Sequence, residues 1–350
     1  MPQSSPRPWA IHVTTLTAAI LGGALFTLAH VPLAWMIGAL AATAALAWFR
    51  PVAVHPAIRP VALIMLGLGL GQTFSGPVMA AVAAALPALL VAGVVSILAG
   101  IAVVPIFTRM TGMDSRTGYF SAVPGGVVVM AILAQREGVP MAPVTLAQTI
   151  RVLVVVLTFP LVLGFFAQHA DDAAFSTMRL PVRWWGLAAM LAGALAAALL
   201  LRRLGLANPW MLGPFGLTIA LAASDHLPSG VPNLLVNLAQ IGMGATLGQR
   251  MTREFLLRSR RLAWAALLSS LALGALCTVL GLALGWVTGL PPAAVVLGMA
   301  PGGMPEMGIT AKSLDLAVPL VLGFHLTRTL LCNLLVGPIY RGACALGVLR

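Results

Sequence analysis

From Trp9 to Tyr340 the chain is a nearly unbroken succession of apolar segments, and this pattern leaves few folds open. An apolar run of about 18 residues or more can cross a hydrocarbon core of roughly 30 Å as a helix. Lipid offers backbone amides no water, so each crossing segment must satisfy its own hydrogen bonds. Only 8% of the residues are charged and 60% are hydrophobic, where a soluble domain carries about 25% charged residues. So little polar surface could not cover a soluble core of this size. The expected fold class is an all-α integral membrane protein.

The charges that remain point the same way. The net charge is +12, from 20 Lys and Arg against 8 Asp and Glu. The basic residues are spread over short connectors, as the positive-inside rule predicts, and do not gather on one soluble module. The expected partners are therefore the lipid bilayer and a small-molecule or ion substrate, not nucleic acid, and a homo-oligomer is compatible with the sequence. Cys277, Cys332 and Cys344 form no CxxC pair and read as small apolar residues in helices. The histidines form no ligand cluster, and no carboxylates stand at metal spacing. Walker and G-x-S-x-G motifs are also missing from the sequence. The residues support no catalytic metal, no cofactor and no enzyme.

The sequence is duplicated. Pro124-Gly125-Gly126 recurs as Pro301-Gly302-Gly303, an offset of 177. At that offset Gly67 falls on Gly244, Gly71-Gln72 on Gly248-Gln249, Met130 on Met307 and Arg151 on Arg328. Trp35-Met36-Ile37-Gly38 recurs as Trp210-Met211-Leu212-Gly213 at an offset of 175. Unlike motifs in one order at nearly one offset mark an internal repeat. Each half reads as six apolar segments. They lie near 9–29, 32–49, 60–76, 78–107, 118–135 and 143–167, then near 184–201, 207–224, 232–249, 263–286, 292–311 and 317–340. The expected domains are a first repeat over 1–167, a polar linker over 168–183 and a second repeat over 184–350. Arg7 and the apolar run after it resemble a signal peptide. The counterpart run from Trp184 to Leu201 argues that the segment stays as the first helix.

Charge distinguishes two topologies. If all twelve segments cross, nine basic residues lie on each side and the positive-inside rule is ignored. If the fifth segment of each half enters and leaves on one side, each half crosses five times and the second is inverted. The cytoplasmic side then holds fifteen arginines, and the outside holds only Arg179, Arg183 and Lys312. The expectation is therefore two inverted repeats of five spans, each with a re-entrant or broken Pro-Gly-Gly segment, and both termini cytoplasmic.

The Pro-Gly-Gly segments are the candidate site. Proline removes a backbone donor, and paired glycines favour non-helical φ/ψ. Irregular backbone at membrane depth survives where protein buries it or where it lines a wet cavity. Matched breaks in two halves point to a transporter binding site, and a half-helix N-terminus suits an anionic group. The candidate substrate-binding residues are Pro124, Gly125, Gly126, Pro301, Gly302 and Gly303, with the mid-span Arg151 and Arg328. Such arginines hold either an anion or backbone carbonyls. Glu306, whose counterpart is Val129, is the acid well inside a segment; it is the candidate coupling residue or an ion-pair partner. Gln72 and Gln249, each ending a Gly-rich segment, read equally as site wall or packing. His325 stands where the first half has Gln148 and reads as an interior group. Trp35 and Trp210 read as interfacial anchors.

The duplicated Gly-Gln pair and the run Ala300-Pro-Gly-Gly-Met-Pro-Glu-Met307 resemble the AbrB family of Gram-negative bacterial membrane proteins. The resemblance covers about 15–340, and the first-half copy lacks the Glu. It implies an inner-membrane protein, read here as a secondary transporter in which one group of helices moves against another. It also brings two other labels, a membrane regulator of gene expression and an ammonia monooxygenase. The second would need a metal centre for which the sequence offers no ligands. The family shares its name with a small soluble DNA-binding regulator that this sequence does not resemble.

Overall fold

The computed structural model describes residues 8–166, 180–206, 208–257, 260–345 and 347. Most of the expected linker, with His169, Asp171, Asp172 and Arg179, lies outside the described residues, as do Arg7, Arg258 and Arg350. Every element among the described residues is a helix. The first half holds α1 (Pro8–Leu28), α2 (Ala34–Phe49), α3 (Ile58–Gly71), α4 (Gly76–Ala84), α5 (Leu86–Ala102), α6 (Val104–Thr111), α7 (Ser115–Ala122), α8 (Val127–Arg136) and α9 (Met141–Phe166). The second half holds α10 (Trp184–Arg203), α11 (Pro209–Ala223), α12 (Asn233–Gly248), α13 (Arg253–Leu257), α14 (Arg260–Thr288), α15 (Pro292–Met299), α16 (Met304–Ser313) and α17 (Val318–Ala345).

Six of the helical stretches are long and apolar enough to cross a membrane: Trp9–Leu28, Leu86–Thr111, Met141–Phe165, Trp184–Arg203, Arg260–Thr288 and Val318–Ala345. The second segments (α2, α11) and third segments (α3, α12) are shorter, at 14 to 16 residues. At 1.5 Å per residue the longest of these reaches about 24 Å. Hydropathy overcounts such segments because apolar connector residues extend the run beyond the helix. The fourth segment also departs from expectation. It is one helix in the second half, α14, but α4, α5 and α6 in the first. Pro87 and Pro105 sit in the first turns of α5 and α6, where a missing N–H costs least.

The chain forms two compact units, and neither is one of the repeats. The first comprises Met1–Gly76 with Thr177–Arg258, and the second Pro77–Ser176 with Ser259–Arg350. Each therefore takes three segments from each half.

In the first unit the halves exchange helices. α3 packs on α11, and α12 packs on α2. Two glycines set the register of each pair. A Cβ on Gly67 would lie 2.9 Å from Met211 O, and one on Gly71 would lie 2.9 Å from Phe215 O. The matched glycines do the same to the other half: a Cβ on Gly244 would lie 2.3 Å from Met36 O, and one on Gly248 would lie 2.6 Å from Leu40 O. Only glycine allows backbones to approach this closely in a membrane helix pair. α1 packs on α2, and Trp35 packs against the cluster of Ala19, Ala39, Val54, Ile241 and Ala245.

The second unit repeats the exchange with the outer segments. α5 packs on α17, and α14 packs on α9. Between them lie the interrupted fifth segments, α7–α8 and α15–α16. Asp114 caps α7 by accepting a hydrogen bond from the Thr117 amide at 3.1 Å. Tyr119 donates from its hydroxyl to Val336 O of α17 at 2.9 Å, tying the start of α7 into the unit.

Candidate functional site: two helix breaks and their arginine clamps

Both Pro-Gly-Gly motifs interrupt a helix. α7 ends at Ala122 and α8 starts at Val127; α15 ends at Met299 and α16 starts at Met304. The cap glycines are extended, Gly126 at φ −67° and ψ 133° and Gly303 at φ −87° and ψ 152°. Both cap glycines are thus non-helical, as expected, though neither break uses positive φ. The glycines make room. A Cβ on Gly125 would lie 2.5 Å from Met130 Sδ, and one on Gly302 would lie 2.9 Å from Met307 Cγ. The duplicated methionine thus folds over the middle glycine of its own break.

A helix that stops leaves its last carbonyls without partners. Here side chains of the sixth segments supply them. Gln148 on α9 donates from Nε2 to Phe120 O (2.8 Å), Ser121 O (3.3 Å) and Val123 O (3.0 Å). Arg151, one turn on, donates to Val123 O (3.3 Å) and Gly125 O (2.8 Å). The second break is built by the same rule at an offset of 177. His325 Nε2 pairs with Leu297 O at 3.1 Å, and Arg328 donates to Ala300 O and Gly302 O. Arg328 also pairs with His325 Nδ1 at 2.9 Å. A carbonyl can only accept and a guanidinium can only donate, so the His325 proton sits on Nε2 and Nδ1 is the acceptor. Each arginine thus places its charge at the negative end of the half-helix before the break. Of the two roles open to a mid-span arginine, the geometry displays the hold on backbone carbonyls.

Each break also touches the sixth segment of the other half at matched residues. Cys332 on α17 donates from Sγ to Pro124 O at 2.9 Å. A Cβ on Gly302 would lie 3.0 Å from Cγ1 of Val155 on α9. α5 closes the first break from another side: a Cβ on Gly100 would lie 2.5 Å from Pro124 Cδ and 2.8 Å from Val123 Cα.

Glu306 is buried and occupies the third position of α16. Its carboxylate folds back over the cap glycine, so that a Cβ on Gly303 would fall 2.1 Å from Oε2. An acid at this position is favoured by the helix dipole and can reach the cap amide.

Gln72 and Gln249 are not brought to the breaks. They belong to the first unit, where Gln72 Oε1 accepts from Val231 N (3.0 Å) and Gln249 Oε1 accepts from Val54 N (2.8 Å). Each amide ties the end of a third segment to the extended chain that enters the other half's third segment. Trp210 has the Arg202 guanidinium 5.8 Å above its ring. Gln148, Cys332 and Val155 were not singled out as site residues in the sequence. Only Gln148 carried a signal, a polar residue three positions before an intramembrane arginine and so on its helix face.

Comparisons with known proteins show which family the chain resembles. A protein of Bacillus subtilis (strain 168), "Uncharacterized protein YhjN", is 28% identical over 91% of this chain and 90% of its own length. "Putative regulator AbrB" of Escherichia coli (strain K12) is 26% identical over 78% of this chain and 79% of its own. The Bacillus relative takes the resemblance beyond Gram-negative bacteria. The family model described as "Transition state regulatory protein AbrB" matches residues 35–343, which include both breaks, both arginine clamps and both glutamines, and the chain belongs to the AbrB family.

Proposed function

We propose that the chain is a secondary transporter of a small solute across the bacterial inner membrane, with the two Pro-Gly-Gly breaks forming its site. The observation that carries the proposal is the matched pair of clamps. A buried guanidinium in each half, backed by Gln148 or His325, holds an interrupted helix open in the same way. Burying an arginine in a membrane segment is costly, and a continuous helix would need no such partner. Matched helix interruptions in two halves are the pattern from which transporter solute sites are built. Glu306, at the mouth of α16, is the group proposed to couple transport to a cation or proton.

The proposal includes ten spans, an inverted second half and cytoplasmic termini. Two contacts support the inversion. Burial and the nearby Arg59 lower the pKa of Arg250 below the ordinary arginine range, so the two arginines share one end of the first unit. Arg261 donates from Nε to Met110 O at 2.6 Å, next to Arg109. Twelve parallel crossings would set the members of both pairs on opposite sides.

Uptake of a radiolabelled solute panel into proteoliposomes under an imposed pH gradient tests the function. Saturable uptake that is lost in Glu306→Gln is expected; absence of any gradient-dependent uptake across the panel refutes it. Reporter fusions at Arg136 and Lys312 are expected in opposite compartments, and a shared compartment refutes the inversion. A second reading, a membrane regulator, rests on the printed name of the Escherichia coli relative.

A further inference from the structure

We infer that the first break, and not the second, is the anion subsite, and that its ligand is a small carboxylate bearing a neighbouring hydroxyl or amino group. The inference deepens the transporter reading and takes the word substrate from it.

The second break shows what such a site binds, because the protein fills it itself. The Glu306 carboxylate lies over Gly303 at the N-terminus of α16. The offset of 177 carries Gly303 to Gly126 and Glu306 to Val129. The side-chain placement is conserved between the halves: a Cβ on Gly126 would lie 3.6 Å from Val129 Cγ2. Val129 thus stands where Glu306 stands and brings no charge. The ten-residue helix α8 begins, as α16 does, on a glycine with no side chain to cap its first amides, and it has no acid at its third position. Its first turn also retains a donor that the second break has lost, since Val128 stands where Pro305 has no N–H. Gly126 and Val128 are exposed, whereas Pro301, Gly302, Met304 and Pro305 are buried. A helix N-terminus with unfilled amides and a positive dipole end attracts an anion.

A second observation points to a ligand. Three buried polar atoms at the first break have no partner: Arg151 Nε, Gln148 Oε1 and Ser121 Oγ. All three residues are at least 97% buried. Arg151 is aimed at the break, because its other two nitrogens bind Val123 O and Gly125 O, the latter one residue from the cap glycine. Its charge faces no acid at the matched position of its own half. Gln148 Oε1 can only accept, so it needs a donor that a bare carboxylate lacks and that a hydroxyl or amino substituent supplies. Buried polar groups are almost always paired, and unpaired ones call for a missing partner.

Thermal unfolding of the purified full chain, titrated at constant ionic strength with glycolate, acetate, acetamide and inorganic phosphate, tests the inference. Glycolate is expected to raise the midpoint at the lowest concentration, acetate at about tenfold higher concentration, and acetamide and phosphate not at all. Val129→Glu supplies the carboxylate internally and is expected to abolish the response, whereas Val129→Gln keeps it. If Val129→Glu does not fold, Gly126→Ala serves, since its Cβ meets only ordinary contacts with Val129 and adds a methyl at the exposed cap where the ligand is proposed to sit; it is expected to weaken the response. An equal response to acetamide or phosphate overturns the carboxylate assignment. A full response in Val129→Glu, or one lost in Glu306→Gln alone, overturns the placement at the first break. Carboxylate binding without uptake would sink the transporter reading and leave this site standing. Uptake without carboxylate binding would do the reverse.

Discussion

Removing Arg328 should damage the protein more than removing Arg151, although the two are matched residues. In Arg328→Ala two buried acceptors are left without a donor, Gly302 O and His325 Nδ1, while Ala300 O keeps the Gly302 amide at 2.8 Å. His325 remains bound to Leu297 O and relieves none of them. In Arg151→Ala the outcome differs, because Gln148 still donates to Val123 O. Only Gly125 O is then left without the partner it had. Each stranded buried acceptor costs about 1–3 kcal/mol. The cost is offset in part because a buried charge is no longer desolvated. The expected losses are about 2–4 kcal/mol for Arg328→Ala and about 1–2 kcal/mol for Arg151→Ala. At about 2 °C per kcal/mol for a chain of this length, the midpoints fall by roughly 4–8 °C and 2–4 °C. The assay is thermal unfolding in one detergent, followed by the loss of the monodisperse species. Equal losses, or a larger loss for Arg151→Ala, would refute the reasoning that the arginines act through carbonyls and that Gln148 shares the load.

Three further outcomes follow from the same geometry. Gly100→Ala places a methyl against Pro124 and the Val123 backbone, so a loss of about 1–3 kcal/mol is expected, and unchanged thermal stability would contradict the close approach. His325→Gln keeps both a donor for Leu297 O and an acceptor for Arg328, so it should cost under about 1 kcal/mol, where His325→Leu costs about 2–4; the two midpoints measured side by side decide this. Gln249→Ala strands the Val54 amide at a cost of about 1–2 kcal/mol, and Gln249→Glu, which keeps the acceptor, should lose less in the same unfolding assay.

Much of this architecture is legible in the residues. The apolar runs give the helices, and the offset of 177 pairs Arg151 with Arg328 and one break with the other before any coordinates are known. The partners of the arginines are not legible, because a backbone carbonyl has no letter in the sequence. Gln148 was visible only as the residue that His325 replaces. The non-helical backbone of the break glycines is legible, but the space they leave for Met130, Met307 and Glu306 is not. The two compact units were illegible for a different reason. They arise from contacts such as Gly67 with Met211, which join segments far apart in the chain and leave no local pattern.

The exchange of third segments has a consequence for synthesis. α3 is synthesised with its glycine face, Gly67 and Gly71, shaped for the backbone of Met211 and Phe215. That backbone is made about 140 residues later, roughly 7–30 seconds at 5–20 residues per second. Until then the notch on α3 lacks the backbone it is shaped for. The nascent first half is thus an incomplete object that waits for its sister, and neither half matures alone.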